Sequence, residues 1–260
     1  MTLYDCFLFY NEYDMLELRL KELYDIVDYF VIVEGTHTYV GNPKESNFEK
    51  HKARYEPYMK KIRYFYLPNL VNTTNPWYQE HKQRENIYHA LKTLGAQPTD
   101  TVTNCDCDEI PRPEVLQSLR GIKHLVHLVL LEFWYNVETF NTRPCGSTCV
   151  SSFELVEQSY NGTYKTDDWN FSNNRWRGGI GNNIPNAGWH FSYFGGVNKI
   201  LEKITNAAHQ ECNTIENNNM NNIIECVSKK LAFNDKNVQF IHTPLEENRL
   251  YLPKNIDILL

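Results

Sequence analysis

Tyr4 to Tyr10 (Tyr-Asp-Cys-Phe-Leu-Phe-Tyr) is an aromatic, apolar run fit for a buried strand, and Tyr29 to Val33 is a second. Between them Leu16, Leu18, Leu20, Leu23 and Ile26 give a helix a broad apolar face, with Asn11 or Asp14 suited to cap it. A strand, a helix and a strand within about 30 residues make a βαβ unit. Such a unit pairs its strands in parallel and crosses over right-handed, which commits the chain to an α/β sheet covered by helices. Ile62 to Leu67, closed by Pro68, adds a third strand, Glu49 to Lys61 reads as a charged surface helix, and Trp77 to Leu94, ended by Gly95, is a longer one. Ligands of such folds bind outside the C-terminal ends of the strands.

Residues at those strand ends therefore carry the most information about chemistry. Thr101 to Thr103 lead into Asn104-Cys-Asp-Cys-Asp-Glu-Ile-Pro111. In an extended chain side chains alternate, so Asp106 and Asp108 are expected on one side and Cys105, Cys107 and Glu109 on the other. Two converging carboxylates repel unless a cation lies between them, and oxygen ligands suit a hard divalent ion, Mn2+ or Mg2+. A metal held by few protein groups keeps positions open for phosphates, which is the chemistry of a nucleotide-sugar diphosphate donor. Pro111 stands where a calcium-binding helical hand needs glycine, Ile110 disfavours a phosphatase using Asp106 as nucleophile, and no second cysteine pair occurs at zinc spacing. Glu34, ending the second strand, is either a solvated turn carboxylate or an acceptor for the base or ribose of a nucleotide. Arg84 can reach a diphosphate or pair with Glu80 one helical turn away.

With 260 residues, 42% of them hydrophobic, the chain is expected to form a single catalytic domain, its first 110 or so residues binding the sugar nucleotide and the rest the acceptor. A net charge of -6 argues against nucleic acid as a partner. Seven cysteines without a regular framework read as reduced thiols. No apolar run reaches the roughly 18 residues of a membrane span, and no signal peptide is evident, so a cytoplasmic location is expected.

Further along, Glu114 to Leu119 reads as a short helix and His124 to Val137 as a long strand. From about Thr142 to Pro185 the composition suggests a strand-and-loop insert, in which Arg175, Trp176 and Arg177 suit the apolar faces and hydroxyls of a glycan acceptor. In Ala187-Gly-Trp-His-Phe-Ser-Tyr-Phe-Gly-Gly196, His190 is placed to be a third metal ligand from another strand. Helices are expected at Lys199 to Ala208 and at 223 to 233, with the polar run Asn213 to Asn222 between them. The apolar tail from Arg249 to Asn255 is expected to lie back across the domain.

Asp5-Cys-Phe-Leu-Phe-Tyr-Asn-Glu12, Phe30 to Glu34, Gln83-Arg84, Asp106-Cys-Asp-Glu-Ile-Pro111, Ala187-Gly-Trp-His190 and Leu252-Pro-Lys254 occur in an order that resembles glycosyltransferase family 17. The resemblance implies an α/β fold of the GT-A type, with a mixed, mainly parallel central sheet and flanking helices. It further implies a UDP-sugar donor, UDP-GlcNAc in the known member, a divalent cation and inversion at the anomeric carbon. On that basis Asp106, Asp108 and His190 would hold the metal, Arg84 and Lys254 would neutralise the leaving group, and Glu211 would take the acceptor proton, with Glu109 and Asp168 as other choices. A sugar-nucleotide or glycan-binding protein without turnover is the alternative.

Overall fold

The structure, a computed structural model, describes residues 1–67, 75–161 and 182–260, with backbone alone at 144–147. Strand β1 (Leu3–Leu8) is buried along its whole length. Its alternate residues face two different cores: Leu3 and Phe7 pack with helix α1 (Tyr13–Leu23), while Tyr4, Cys6 and Leu8 pack with Ile87 and Leu91 on the opposite face. Strand β2 (Tyr29–Gly35) pairs in parallel with β1, Tyr4 opposite Tyr29 through Leu8 opposite Val33, which completes the expected βαβ unit. The helix expected over Glu49 to Lys61 is divided into α2 (Asn47–His51) and a 3-10 segment, Lys52–Tyr58. Pro57 lies inside that segment and cannot donate to an α-helical ladder. Strand β3 (Ile62–Leu67) extends the parallel sheet beyond β2. Helix α3 (Pro76–Thr93) is capped by the Asn75 side chain, and Gly95, in the left-handed region at φ 74°, comes after its C-cap Leu94. Strand β4 (Thr101–Asp106) then enters on the other side of β1, again in parallel.

Beyond β4 the sheet becomes mixed in direction. The chain continues through β5 (Glu109–Pro111), α4 (Pro113–Ser118), β6 (Val126–Trp134), β7 (Thr139–Ser152), α5 (Phe153–Tyr160), β8 (Asn182–Ile184) and β9 (Gly188–Ser192). The order of the described sheet is β3-β2-β1-β4-β7-β6-β9-β5, with β8 beside β6, and β4 meets β7 antiparallel. Strand β5 starts three residues after β4 ends, yet it pairs with β9 on the far side of the sheet, Glu109 opposite His190. Gly188 allows this pairing, because a Cβ there would stand 2.3 Å from the Ile110 carbonyl oxygen and 2.8 Å from Pro111 Cα. Residues 107 and 108 form a turn, so the alternation expected to align Asp106 with Asp108 does not apply. Helix α5, within the expected strand-and-loop insert, forms because the Ser152 side chain accepts the Leu155 N–H and because Phe153, Leu155 and Val156 are buried. Asp168, Arg175, Trp176 and Arg177 lie outside the described residues.

The remainder comprises α6 (Val197–Asn206), α7 (Met220–Lys229), the hairpin β10 (Leu231–Ala232) and β11 (Asp235–Gln239), β12 (Ile241–His242) against β7, and α8 (Leu245–Asn248). Helix α7 begins before the expected residue 223, because the Asn219 side chain caps it, and stops at Lys230, whose φ of 56° is left-handed. The tail lies back as expected: Leu252 and Ile256 are buried, and the backbone N–H groups of Lys254 and Asn255 donate to Glu22 of α1. Cys6, Cys105, Cys107, Cys149, Cys212 and Cys226 are reduced thiols. Among the described residues no helix is long and apolar enough to cross a membrane. The expected α/β architecture, a mixed sheet with a parallel half and flanking helices, is the one observed.

Candidate active site

Two buried arginines fix the end of β4. Asp5 is on the α1 side of β1 and is 0% exposed, as is Arg19 of α1. The guanidinium donates to both Asp5 oxygens, from Nε at 2.7 Å and from Nη2 at 2.6 Å. Its Nη1 turns to the backbone of the acid turn, donating to the carbonyls of Asp106 at 3.2 Å and Glu109 at 2.5 Å. Thr103 also donates to Asp5, at 2.6 Å. Burial opposes the charge on Arg19, but Asp5 outweighs it and raises the guanidinium pKa further. From the α3 side Arg84 donates to the Cys105 carbonyl at 3.2 Å, to Glu80 at 3.2 Å and to the Asp106 carboxylate at 2.6 Å. Glu109 completes the frame: its carboxylate accepts the Asp106 N–H at 3.0 Å and the Thr148 hydroxyl at 3.2 Å.

The turn held in this way forms the floor of a cleft of about 760 Å³. Residues after β1 and β2 (Tyr10, Glu12, His37 to Tyr39) line one side, and β6, β9 and the end of α6 line the other. The cleft opens at the C-terminal ends of β1 and β4, where the strand order turns back, the place an α/β fold binds ligands. Asp108 is buried there, with the Lys203 ammonium 2.8 Å from Oδ2 and His190 Nε2 3.8 Å from Oδ1. Burial alone would raise the Asp108 pKa; Lys203 and then His190 offset it and hold the carboxyl below its usual range. The other nitrogen of His190, Nδ1, is 3.4 Å from Glu132, and Ser192 Oγ is 3.1 Å from Nε2. Glu132 is likewise held low, the His190 bond and charge outweighing its burial. Glu12 is held high, by burial against the pull of Lys203. The cleft floor thus presents paired acids and cations at its centre.

The structure brings Asp106, Asp108 and His190 to one cleft, but among the described residues no group of three His, Cys, Asp or Glu side chains is placed to hold a metal ion. Arg84 is 1% exposed and lies behind Asp106, bonded both to Glu80 and to the acid turn. Glu34 is turned inward rather than toward a nucleotide or solvent. It accepts the N–H groups of Asn47 at 2.7 Å and Phe48 at 3.1 Å at the start of α2, and it also bonds Lys44 and Tyr64. Lys254 is carried by the tail across α1 and is not among the described residues lining the cleft. Glu211 lies in a 3-10 turn, Gln210–Cys212, and bonds His209, which does line the cleft. Sequence reasoning missed Arg19, Lys203 and Glu132. A signal existed for the first: Asp14, Glu17 and Lys21 mark the polar face of α1, and Arg19 stands on the opposite side among Met15, Leu16 and Leu23, where a cation needs a buried acid.

The model of glycosyltransferase family 17 matches residues 1–235. The chain belongs to glycosyltransferase family 17. It is therefore a transferase enzyme, as the acid motif and its neighbouring blocks imply. No curated protein sequence matches this family member. Among solved structures it is loosely similar to a 4-diphosphocytidyl-2C-methyl-D-erythritol synthase, at 13% identity over 75% of this chain and 90% of that one, TM-score 0.40. A glucosyl-3-phosphoglycerate synthase from Mycobacterium tuberculosis, in complex with Mn2+, UDP and phosphoglyceric acid, is similar at 14% identity over 59% of this chain and 56% of that one, TM-score 0.33. HddC from Yersinia pseudotuberculosis, complexed with GMP-PN, is similar at 12% identity over 71% and 90%, TM-score 0.41.

Proposed function

We propose that this glycosyltransferase takes a sugar nucleotide, with UDP-GlcNAc as donor, and moves the sugar with inversion onto a hydroxyl of a glycan. The observation that carries the reading is the acid turn, Asp106 to Asp108, at the floor of the cleft with Lys203 and His190 on Asp108. Family membership supports the reaction class. In this reading residues up to about 110 contribute most of the donor side and the later residues most of the acceptor side.

Mn2+ or Mg2+ is the expected cofactor, and the hard oxygens of Asp106 and Asp108 are the chemically suited ligands. As arranged, Asp108 holds Lys203 and Asp106 holds Arg84, so the donor set does not fit a bound ion and no step is assigned to one. Lys203 puts an ammonium beside the turn, where a diphosphate leaving group gathers charge. Arg19 and Arg84 keep the turn in place as that charge develops. The acceptor oxygen attacks the anomeric carbon, the bond to the diphosphate breaks, and a base takes the hydroxyl proton.

The test is UDP or GDP release by the purified protein across UDP-GlcNAc, UDP-Glc, UDP-Gal and GDP-sugars, with Mn2+ and with EDTA. Turnover of UDP-GlcNAc above the other donors is the expected result, and loss of that turnover in EDTA would assign the divalent ion. Absence of turnover and of thermal stabilisation by every donor would overturn the transferase reading in favour of a binding protein.

A further inference from the structure

We propose that His209, oriented by Glu211, is the catalytic base that takes the acceptor proton. The inference rests on the transferase reading above and replaces Glu211 as the group that meets the acceptor. His209 lines the cleft together with Asn206 to Ala208, directly after the helix whose Lys203 bonds Asp108. Glu211 is absent from the described lining and its side chain is 58% exposed, but its Oε1 lies 2.5 Å from His209 Nδ1.

The segment is firmly built. The Gln210 side-chain amide donates to the carbonyls of Ile204 and Thr205 at 3.3 Å and Ala207 at 2.8 Å, which satisfies the C-terminal end of α6 and fixes the backbone beside His209. Trp77, at the start of α3, meets the His209 ring edge-on, with centroids 4.5 Å apart. With Glu211 accepting at Nδ1, the neutral tautomer of His209 that carries its hydrogen there would present the Nε2 lone pair as the proton acceptor. His190 is engaged differently: Nδ1 faces Glu132 and Nε2 faces Ser192 and Asp108, at the floor where the diphosphate belongs.

The step balances without a further reagent. The acceptor oxygen forms the new bond to the anomeric carbon, and the bond to the diphosphate breaks with its electron pair leaving on phosphate oxygen. The hydroxyl proton passes to His209 Nε2, and Glu211 stabilises the resulting imidazolium. His209 is the catalytic residue and Glu211 a positioning residue.

The experiment measures UDP release from UDP-GlcNAc, with water as acceptor, and UDP affinity by calorimetry, for the parent protein and for His209→Ala, Glu211→Gln and Glu211→Asp. Positioned acid–base groups typically contribute on the order of 100-fold or more, so His209→Ala is expected to lower kcat by that factor at unchanged UDP affinity. Added imidazole is expected to restore several-fold of the loss. Glu211→Gln is expected to cost on the order of 10-fold, with Glu211→Asp recovering most of it. A His209→Ala protein within threefold of the parent would overturn the assignment. So would a loss of UDP affinity matching the loss of kcat, or a Glu211→Gln defect as deep as that of His209→Ala with no imidazole rescue. These outcomes all presuppose an active parent; a parent neither turning over nor stabilised by any donor overturns the donor reading itself, and the base with it.

Discussion

The two sides of the acid turn use charge in opposite ways. On the parallel side, Arg19 and Arg84 are sealed from solvent and spread their donors over carboxylates and backbone carbonyls. On the other side, Lys203 meets Asp108, His190 stands between Asp108 and Glu132, and both face the cleft. An arginine fork can satisfy several acceptors in one fixed geometry, whereas an ammonium on a flexible stem can change partners. The difference amounts to a division of labour: the buried forks set where the turn stands, and the cations facing the cleft are left to meet a ligand.

The sharpest way to break this contrast is Arg19→Met. Removing one partner of a buried ion pair leaves Asp5 charged and unpaired, and about 3–5 kcal/mol of stability is expected to be lost in urea denaturation. A loss under about 1 kcal/mol would mean that the turn is held by something else.

The next test separates the halves by pH. His127 of β6 is buried against Cys149, its Nδ1 3.3 Å from the thiol, and burial depresses its pKa from 6.5 to about 4. The folded protein thus binds this proton less readily than the unfolded chain. The contribution of this group to stability is expected to be full above about pH 6.5 and to fall by about 3 kcal/mol as pH drops toward 4. His127→Gln is expected to flatten that slope, measured as urea midpoints at pH 7 and pH 4.5; an unchanged slope would place the acid sensitivity elsewhere.

Lys203→Met is expected to have the smallest effect on stability. Its side chain is more than one-third exposed, so the loss is expected to stay below that of Arg19→Met even though Asp108 is buried. Donor turnover is nonetheless expected to fall by about 10-fold or more, because the ammonium is the cation at the cleft floor. Melting and UDP-release assays on one preparation would check both, and a large stability loss with intact turnover would erase the contrast with Arg19.

Much of the parallel half was legible in the sequence because it is written locally. The runs at Tyr4 and Tyr29 and the leucines between them specify one βαβ unit, and Asn75 and Gly95 bracket α3. The acid turn was legible as chemistry but not as geometry, since strand alternation presumes an extended chain and residues 107–108 turn. Of the two partners of Asp108, His190 was foreseen at the site and Lys203 was not. Lys203 is 95 residues away, and its approach depends on how α6 packs across the sheet. Glu34 shows the reverse failure: its place at a strand end was foreseen, but the Asn47 and Phe48 N–H groups that draw it inward belong to a helix whose path no local pattern specifies.

The pairing of β5 with β9 has a consequence for timing. The two aspartates are made early in synthesis, yet β5, the strand that anchors the turn downstream, has its neighbour at Gly188–Ser192. Closing such a long loop is a late and entropically costly event. A growing chain therefore carries its acid motif for some 80 residues before β9, the strand that pairs with β5, is made.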